Sequence, residues 1–200
     1  MIRPLLLTSA VLMLAACGAP DTDPVPPAAP AEPAAPATPV DANAVTAQGW
    51  GPLRIGMTRA EVEAALGADA NPNAVGGPDP ESCDVFRPTR APEGLMVMVE
   101  QGVLTSIWLS DGSSLRTDRG FGVGDEASAI KAAYGTDATV EPHKYAAAPA
   151  EYITSWSVGG GPDFVQNPGA RGIAYHIGTD GRAEQVAAGG PSIQYVEGCA

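Results

Sequence analysis

Leu53-Arg54-Ile55-Gly56-Met57-Thr58-Arg59-Ala60-Glu61-Val62-Glu63-Ala64-Ala65-Leu66-Gly67 aligns without a gap on Phe121-Gly122-Val123-Gly124-Asp125-Glu126-Ala127-Ser128-Ala129-Ile130-Lys131-Ala132-Ala133-Tyr134-Gly135. Self-similarity of this kind marks an internal repeat. In the first copy Thr58 and Glu61 have the spacing of a capping box, Val62, Ala65 and Leu66 make one apolar face, and Gly67 suits the left-handed residue that ends a helix. In the second, Asp125 is the expected cap, Ala127, Ile130, Ala133 and Tyr134 make the face, and Gly135 closes it. Both helices are short, so each needs a surface to lie on.

Strand patterns follow each helix. After the first come Cys83–Phe86, Leu95–Glu100 and Val103–Ser110, the last two joined by a tight turn at Gln101-Gly102. After the second come Tyr152–Val158, Ile173–Thr179 and Glu184–Ala188, with Asp180-Gly181 as the matching hairpin turn, and a final strand Ile193–Glu197. The predicted fold class is therefore α+β: two tandem helix-plus-antiparallel-sheet repeats, residues 47–115 and 116–200, forming one domain of about 155 residues, enough to bury a proper core.

Upstream of the repeats, Met1-Ile2-Arg3-Pro4 is a short cationic end, and Leu5–Ala16 an apolar run too short to span a bilayer as a stable helix. Leu14-Ala15-Ala16-Cys17 resembles the lipobox of secreted bacterial lipoproteins. That resemblance implies a signal peptide at 1–16, cleavage before Cys17 and lipid on its sulfur; the alternative is an ordinary secretory leader with Cys17 an accidental thiol. Gly18 rather than Asp after the cysteine is similar to the outer-membrane sorting default of Gram-negative lipoproteins. Residues 17–46 are then a lipidated cysteine followed by Pro and Ala with scattered Asp21, Asp23, Glu32 and Asp41, a composition that cannot offset its ordering entropy by burial. As a proline-rich tether this segment reaches on the order of 90 Å.

Two thiols remain, Cys83 and Cys199, and an exported compartment permits their pairing. A disulfide is the expectation, two buried free thiols the alternative. With 11 Lys and Arg against 23 Asp and Glu, the formal charge is -12. Such a balance disfavours nucleic acid and anionic membrane surfaces and steers basic partners inward, although many exported proteins are simply acidic.

The Gly-Met-Thr-x-x-Glu-Val-x-x-x-Leu-Gly run at Gly56–Gly67 resembles the opening of the small outer-membrane β-barrel assembly lipoprotein (SmpA/OmlA-like) family, and the doubled layout is similar to the β-lactamase inhibitor protein fold. Both resemblances imply a protein that binds other proteins and is not an enzyme. The chain departs from the first family by its second copy, acidic tether and Cys83 and Cys199, and from the second by its lipid anchor. No functional residue is carried over.

Catalytic motifs are not found: there is no G-x-S-x-G, H-E-x-x-H or C-x-x-C, and no phosphate loop ending in Lys-Ser or Lys-Thr. No cofactor or metal is implied. His143 sits beside Lys144 in a polar loop, and strand alternation turns His176 away from Ile173, Tyr175 and Ile177, so both read as surface histidines. Gly159-Gly160-Gly161-Pro162 reads as a loop, and Asp125-Glu126 as a helix start. Trp108 and Trp156 fall on strands and read as core filling; the alternative is a patch with Tyr145 and Phe164 on the open sheet face. The expected function is a lipid-anchored envelope protein that binds an envelope protein partner, as an assembly accessory or inhibitor-like module. The alternatives are an envelope hydrolase or small-ligand binder with an unrecognised site, and a spacer or stabilising surface protein.

Overall fold

The computed structural model describes residues 41, 43–74 and 76–199. The leader, Cys17 and most of the expected tether lie outside the described residues. Val45 is fully buried and bridges Thr117, so the folded body includes residues upstream of the expected boundary at 46/47.

In chain order the described elements are β1 (Gly49–Trp50), β2 (Leu53–Arg54), α1 (Arg59–Leu66), β3 (Cys83–Phe86), β4 (Leu95–Glu100), β5 (Val103–Leu109), α2 (Ala127–Tyr134), a 3-10 turn at Gly135–Asp137, β6 (Ala138–Pro142), β7 (Glu151–Val158), β8 (Arg171–Ile177), β9 (Ala183–Gly189) and a second 3-10 turn at Pro191–Gln194. β1 and β2 pair as a small ribbon, and the other seven strands form one antiparallel sheet in the order β3-β4-β5-β9-β8-β7-β6. The architecture is α+β. Two meanders, β3-β4-β5 and β6-β7-β8-β9, meet through their last strands, with Ile107 opposite Ala188.

Both helices pack on the same face of this sheet. Val62 and Leu66 of α1 and Ala127, Ile130 and Tyr134 of α2 share one apolar cluster with Leu95, Val97, Ile107, Ile153, Ile173, Tyr175 and Val186. Tyr134 at the end of α2 is tied down by its hydroxyl, 2.9 Å from that of Tyr175, which lies 3.0 Å from Thr117 Oγ1. Burial and the neighbouring Tyr134 push the Tyr175 hydroxyl far up from its ordinary range, so it stays a neutral partner.

Each helix start is bonded to the final hairpin of its own meander in the same way. The Gly56 amide donates to the Leu104 carbonyl (2.9 Å), the Leu104 amide to the Met57 carbonyl (2.7 Å), and the Arg59 amide to the Gly102 carbonyl (2.9 Å). At the equivalent positions Gly124 donates to Ala183 (2.8 Å), Ala183 to Asp125 (2.9 Å) and Ala127 to Gly181 (2.9 Å). A hairpin carbonyl thus satisfies the first helical N–H, one of the donors that a helix start leaves without an internal partner.

This arrangement explains a difference between the two helices. Thr58 and Glu61 form the full capping box, but the N-cap of α2 is Glu126 and makes no side-chain cap. Asp125, expected to cap, instead accepts the Gly122 amide (2.8 Å) and pairs with Arg116. Two further expectations are corrected. β6 has no counterpart in the strand pattern, because its Val140, Glu141 and Pro142 are exposed and leave no two-sided apolar signal. Ile193–Glu197 is not a strand: Pro191 starts a 3-10 turn, and the chain crosses the helix-free face of the sheet to reach Cys83.

Cys83 and Cys199 form the expected disulfide, with Cα atoms 5.5 Å apart and a sequence separation of 116. Around it a second apolar cluster gathers Met98, Trp108, Ala174, Ala187 and Ile193.

The hairpin glycines hold φ of 76° at Gly102 and 77° at Gly181, where a side chain is strained. Gly102→Ala and Gly181→Ala are each expected to lower stability by about 1 kcal/mol in urea unfolding. Removing the disulfide, as Cys83→Ala with Cys199→Ala, is expected to cost about 4 to 5 kcal/mol on the chain-entropy account. Calorimetry of the variant against the oxidised parent measures it.

Candidate functional site: a cleft on the helix-free face

The helix-free face is only partly covered. The C-terminal strap, residues 190–199, starts over β8, β9 and β5 at its 3-10 turn and ends at Cys83 on β3, while the β6-β7-β8 side keeps an open cleft of about 540 Å³. Strand alternation aims Tyr152, Thr154 and Trp156 of β7 and Ala174 and His176 of β8 into it. The loop after β6 adds His143 and Lys144, the loop after β7 adds Gly161–Phe164, and the strap adds Ile193, Gln194 and Val196.

Four rings form a row across this face. His143 stacks on Tyr152 with centroids 4.7 Å apart, Tyr152 meets His176 edge-on at 5.0 Å, and His176 meets Trp108 at 5.9 Å. Tyr152 and His176 are cross-strand partners, which is why their rings touch. His143 Nδ1 accepts the amides of Tyr145 and Ala146, both at 3.1 Å, which places the imidazole proton on Nε2.

Trp156 owes its place to glycine. It sits opposite Gly172, where an added Cβ would lie 2.7 Å from the indole, and a Cβ on Gly160 would lie 1.9 Å from its Cγ. Gly159-Gly160-Gly161 is thus a loop, as expected, whose middle residue leaves room for an aromatic ring.

Both cleft-wall loops are fastened to the strap. The Gln194 side chain accepts the Val165 amide and donates to the Val165 carbonyl, each at 2.9 Å. On the other wall the Tyr145 hydroxyl donates to Glu197. Phe164 and Tyr145 remain 62% exposed at the rim.

The surface reading of His176 is corrected. Burial, reinforced by the charge of nearby His143, holds its pKa down at about 4 against an ordinary 6.5. Sequence alternation assigned the residue to the right face, but which ring stood opposite depended on the β7/β8 register. Trp108 is buried, with its indole N–H donating to Ser106 Oγ at 2.6 Å, so the core reading holds for it. Trp156 is half-buried in the cleft wall. Asp125 and Glu126 pair with Arg116 and Arg182 and lie outside the cleft.

Among the described residues no group of three or more His, Cys, Asp or Glu is placed to hold a metal ion. Chemically, the cleft presents aromatic faces, an imidazole N–H donor and two rim carboxylates, Glu141 and Asp163. Comparison with protein-family models, curated proteins and solved structures found no match to this chain.

The low His176 pKa makes stability pH-dependent. The unfolded chain binds this proton below about pH 6.5 and the folded one only near pH 4, so stability falls as pH drops through that window. The His176 contribution is on the order of 3 kcal/mol between pH 7 and pH 4. Urea unfolding of the parent and His176→Gln at pH 7, 5.5 and 4 is expected to show the parent losing more stability than the variant by that order.

Proposed function

We propose that this chain is a lipid-anchored protein of the bacterial cell envelope that holds a segment of another envelope protein in the cleft on its helix-free face. The N-terminal reading supplies the anchor: a leader over residues 1–16, lipid on Cys17, the Pro/Ala-rich tether, and by its Gly18 an outer-membrane address facing the periplasm. The reading assigns no catalytic step. It treats residues 47–115 and 116–200 as two copies of one helix-plus-meander unit, supported by the matching backbone bonds at Gly56 and Gly124.

The observation that carries the binding role is the open row of half-buried rings, bordered by the exposed side chains of Phe164 and Tyr145. Aromatic groups concentrated in a concave, partly desolvated patch are the usual energetic centre of a protein interface. The tether then lets the domain work well away from its lipid. A second reading, a small-ligand site, is favoured by the cleft volume and by the His143 imidazole in its lining, whose Nδ1 is taken up by backbone amides.

The two are separated by site-specific photo-crosslinking of the full chain in its own envelope. A photoreactive residue at Phe164 is expected to capture one polypeptide that the same group at Ser128, on α2, does not. The capture is expected to fall at least about fivefold in Trp156→Ala, the loss from removing one interface anchor. Equal labelling from both positions would overturn the reading. Intact mass of the membrane-extracted chain is expected to begin at an acylated Cys17; an unacylated mature chain would remove the anchor.

A further inference from the structure

Several basic side chains outside the cleft are already paired with carboxylates. Arg59 is bound to Asp84 and Glu63, Arg116 to Asp125, Lys131 to Glu151 and Arg182 to Glu126. Glu141 on β6 and Asp163 in the loop after β7 both line the cleft and make no ion pair with any described residue. The one cation in the lining, Lys144, rests its ammonium 5.0 Å from the centre of the Tyr145 ring, which in turn is bound to Glu197.

The same cleft is lined by the Tyr152, Trp156 and Phe164 rings, and aromatic π faces attract cations, guanidinium above all. The imidazole at the floor does not oppose a positive guest: burial keeps His176 neutral at neutral pH, its pKa near 4. The chain's charge of -12 draws cationic partners toward it from a distance.

We propose that the cleft is a receptor for a basic side chain, arginine first and lysine second, presented on an exposed segment of the partner polypeptide. This rests on the protein-binding reading above and gives it a chemistry. The guanidinium lies against the aromatic wall and its N–H groups meet Glu141 or Asp163, a pairing that a planar fork satisfies better than a point charge. A neutral or acidic segment would leave both carboxylates facing a desolvated interface without a counter-charge, which is unfavourable.

The test titrates the full chain with the probe peptide acetyl-Ala-Arg-Ala-amide and with its citrulline counterpart, which has nearly the same shape and no charge. The indole N–H resonance of Trp156, assigned with Trp156→Phe, reports occupancy. The arginine peptide is expected to saturate in the millimolar range, as one cation–π contact plus one exposed ion pair would give. Its affinity is expected to fall at least about threefold between 50 and 300 mM salt. Glu141→Gln with Asp163→Asn, both exposed and so tolerated by the fold, is expected to weaken it about fivefold, and Lys144→Gln to tighten it. Equal binding of the citrulline peptide, an unchanged double carboxylate variant, or no saturable shift would each overturn the inference. Arginine binding with no crosslinked envelope protein would leave this site standing and remove the protein partner; a crosslinked partner with no arginine preference would do the reverse.

Discussion

The fold depends on the bonding of each helix start to the last hairpin of its own half. Both helices have eight residues, too few to be stable alone in water. Their first turn is where unpaired N–H groups are most costly, and the turn carbonyls of Gly102 and Gly181 meet that need. Because the same hairpin continues into β5 or β9, the helix is placed on the face it must cover. One backbone contact therefore fixes the helix position, the hairpin register and the choice of buried face together.

With both helices on one side, the other face has no helical cover of its own. Half of it is closed by the strap, which buries Ile193 and ends at the disulfide. The strap also orders its surroundings, since Gln194 holds one cleft wall and Glu197 the other. The disulfide thus acts on the cleft at a distance: it fixes the far end of the segment to which both walls are tied.

The parts legible in sequence were those written in local chemistry. The glycine-bracketed helices, the turns at Gln101-Gly102 and Asp180-Gly181, and the pairing of Cys83 with Cys199 all follow from residue type and spacing. The illegible parts depended on partners distant in the chain. Ile193–Glu197 alternates like a strand, yet both sheet edges lie elsewhere and Pro191 turns the chain across the face instead. Asp125 looks like a cap until the hairpin carbonyl supplies the bond and Arg116 takes the carboxylate. His176 was placed on the right face but not beside Tyr152, because that neighbour is set by a register no single segment encodes.

The concavity itself has a simple origin in residue size. On β7 the cleft face carries Tyr152, Thr154 and Trp156, and directly opposite on β8 stand His176, Ala174 and Gly172. The Trp156 indole takes the space over Gly172, and the large rings standing beside Ala174 leave a hollow that a sheet of uniform side chains would not have. The strap lines one side of it with Ile193, Gln194 and Val196 and continues over the Met98–Trp108 side to Cys83 on the outer strand. Small residues make the hollow, and the strap walls one side of it without filling it.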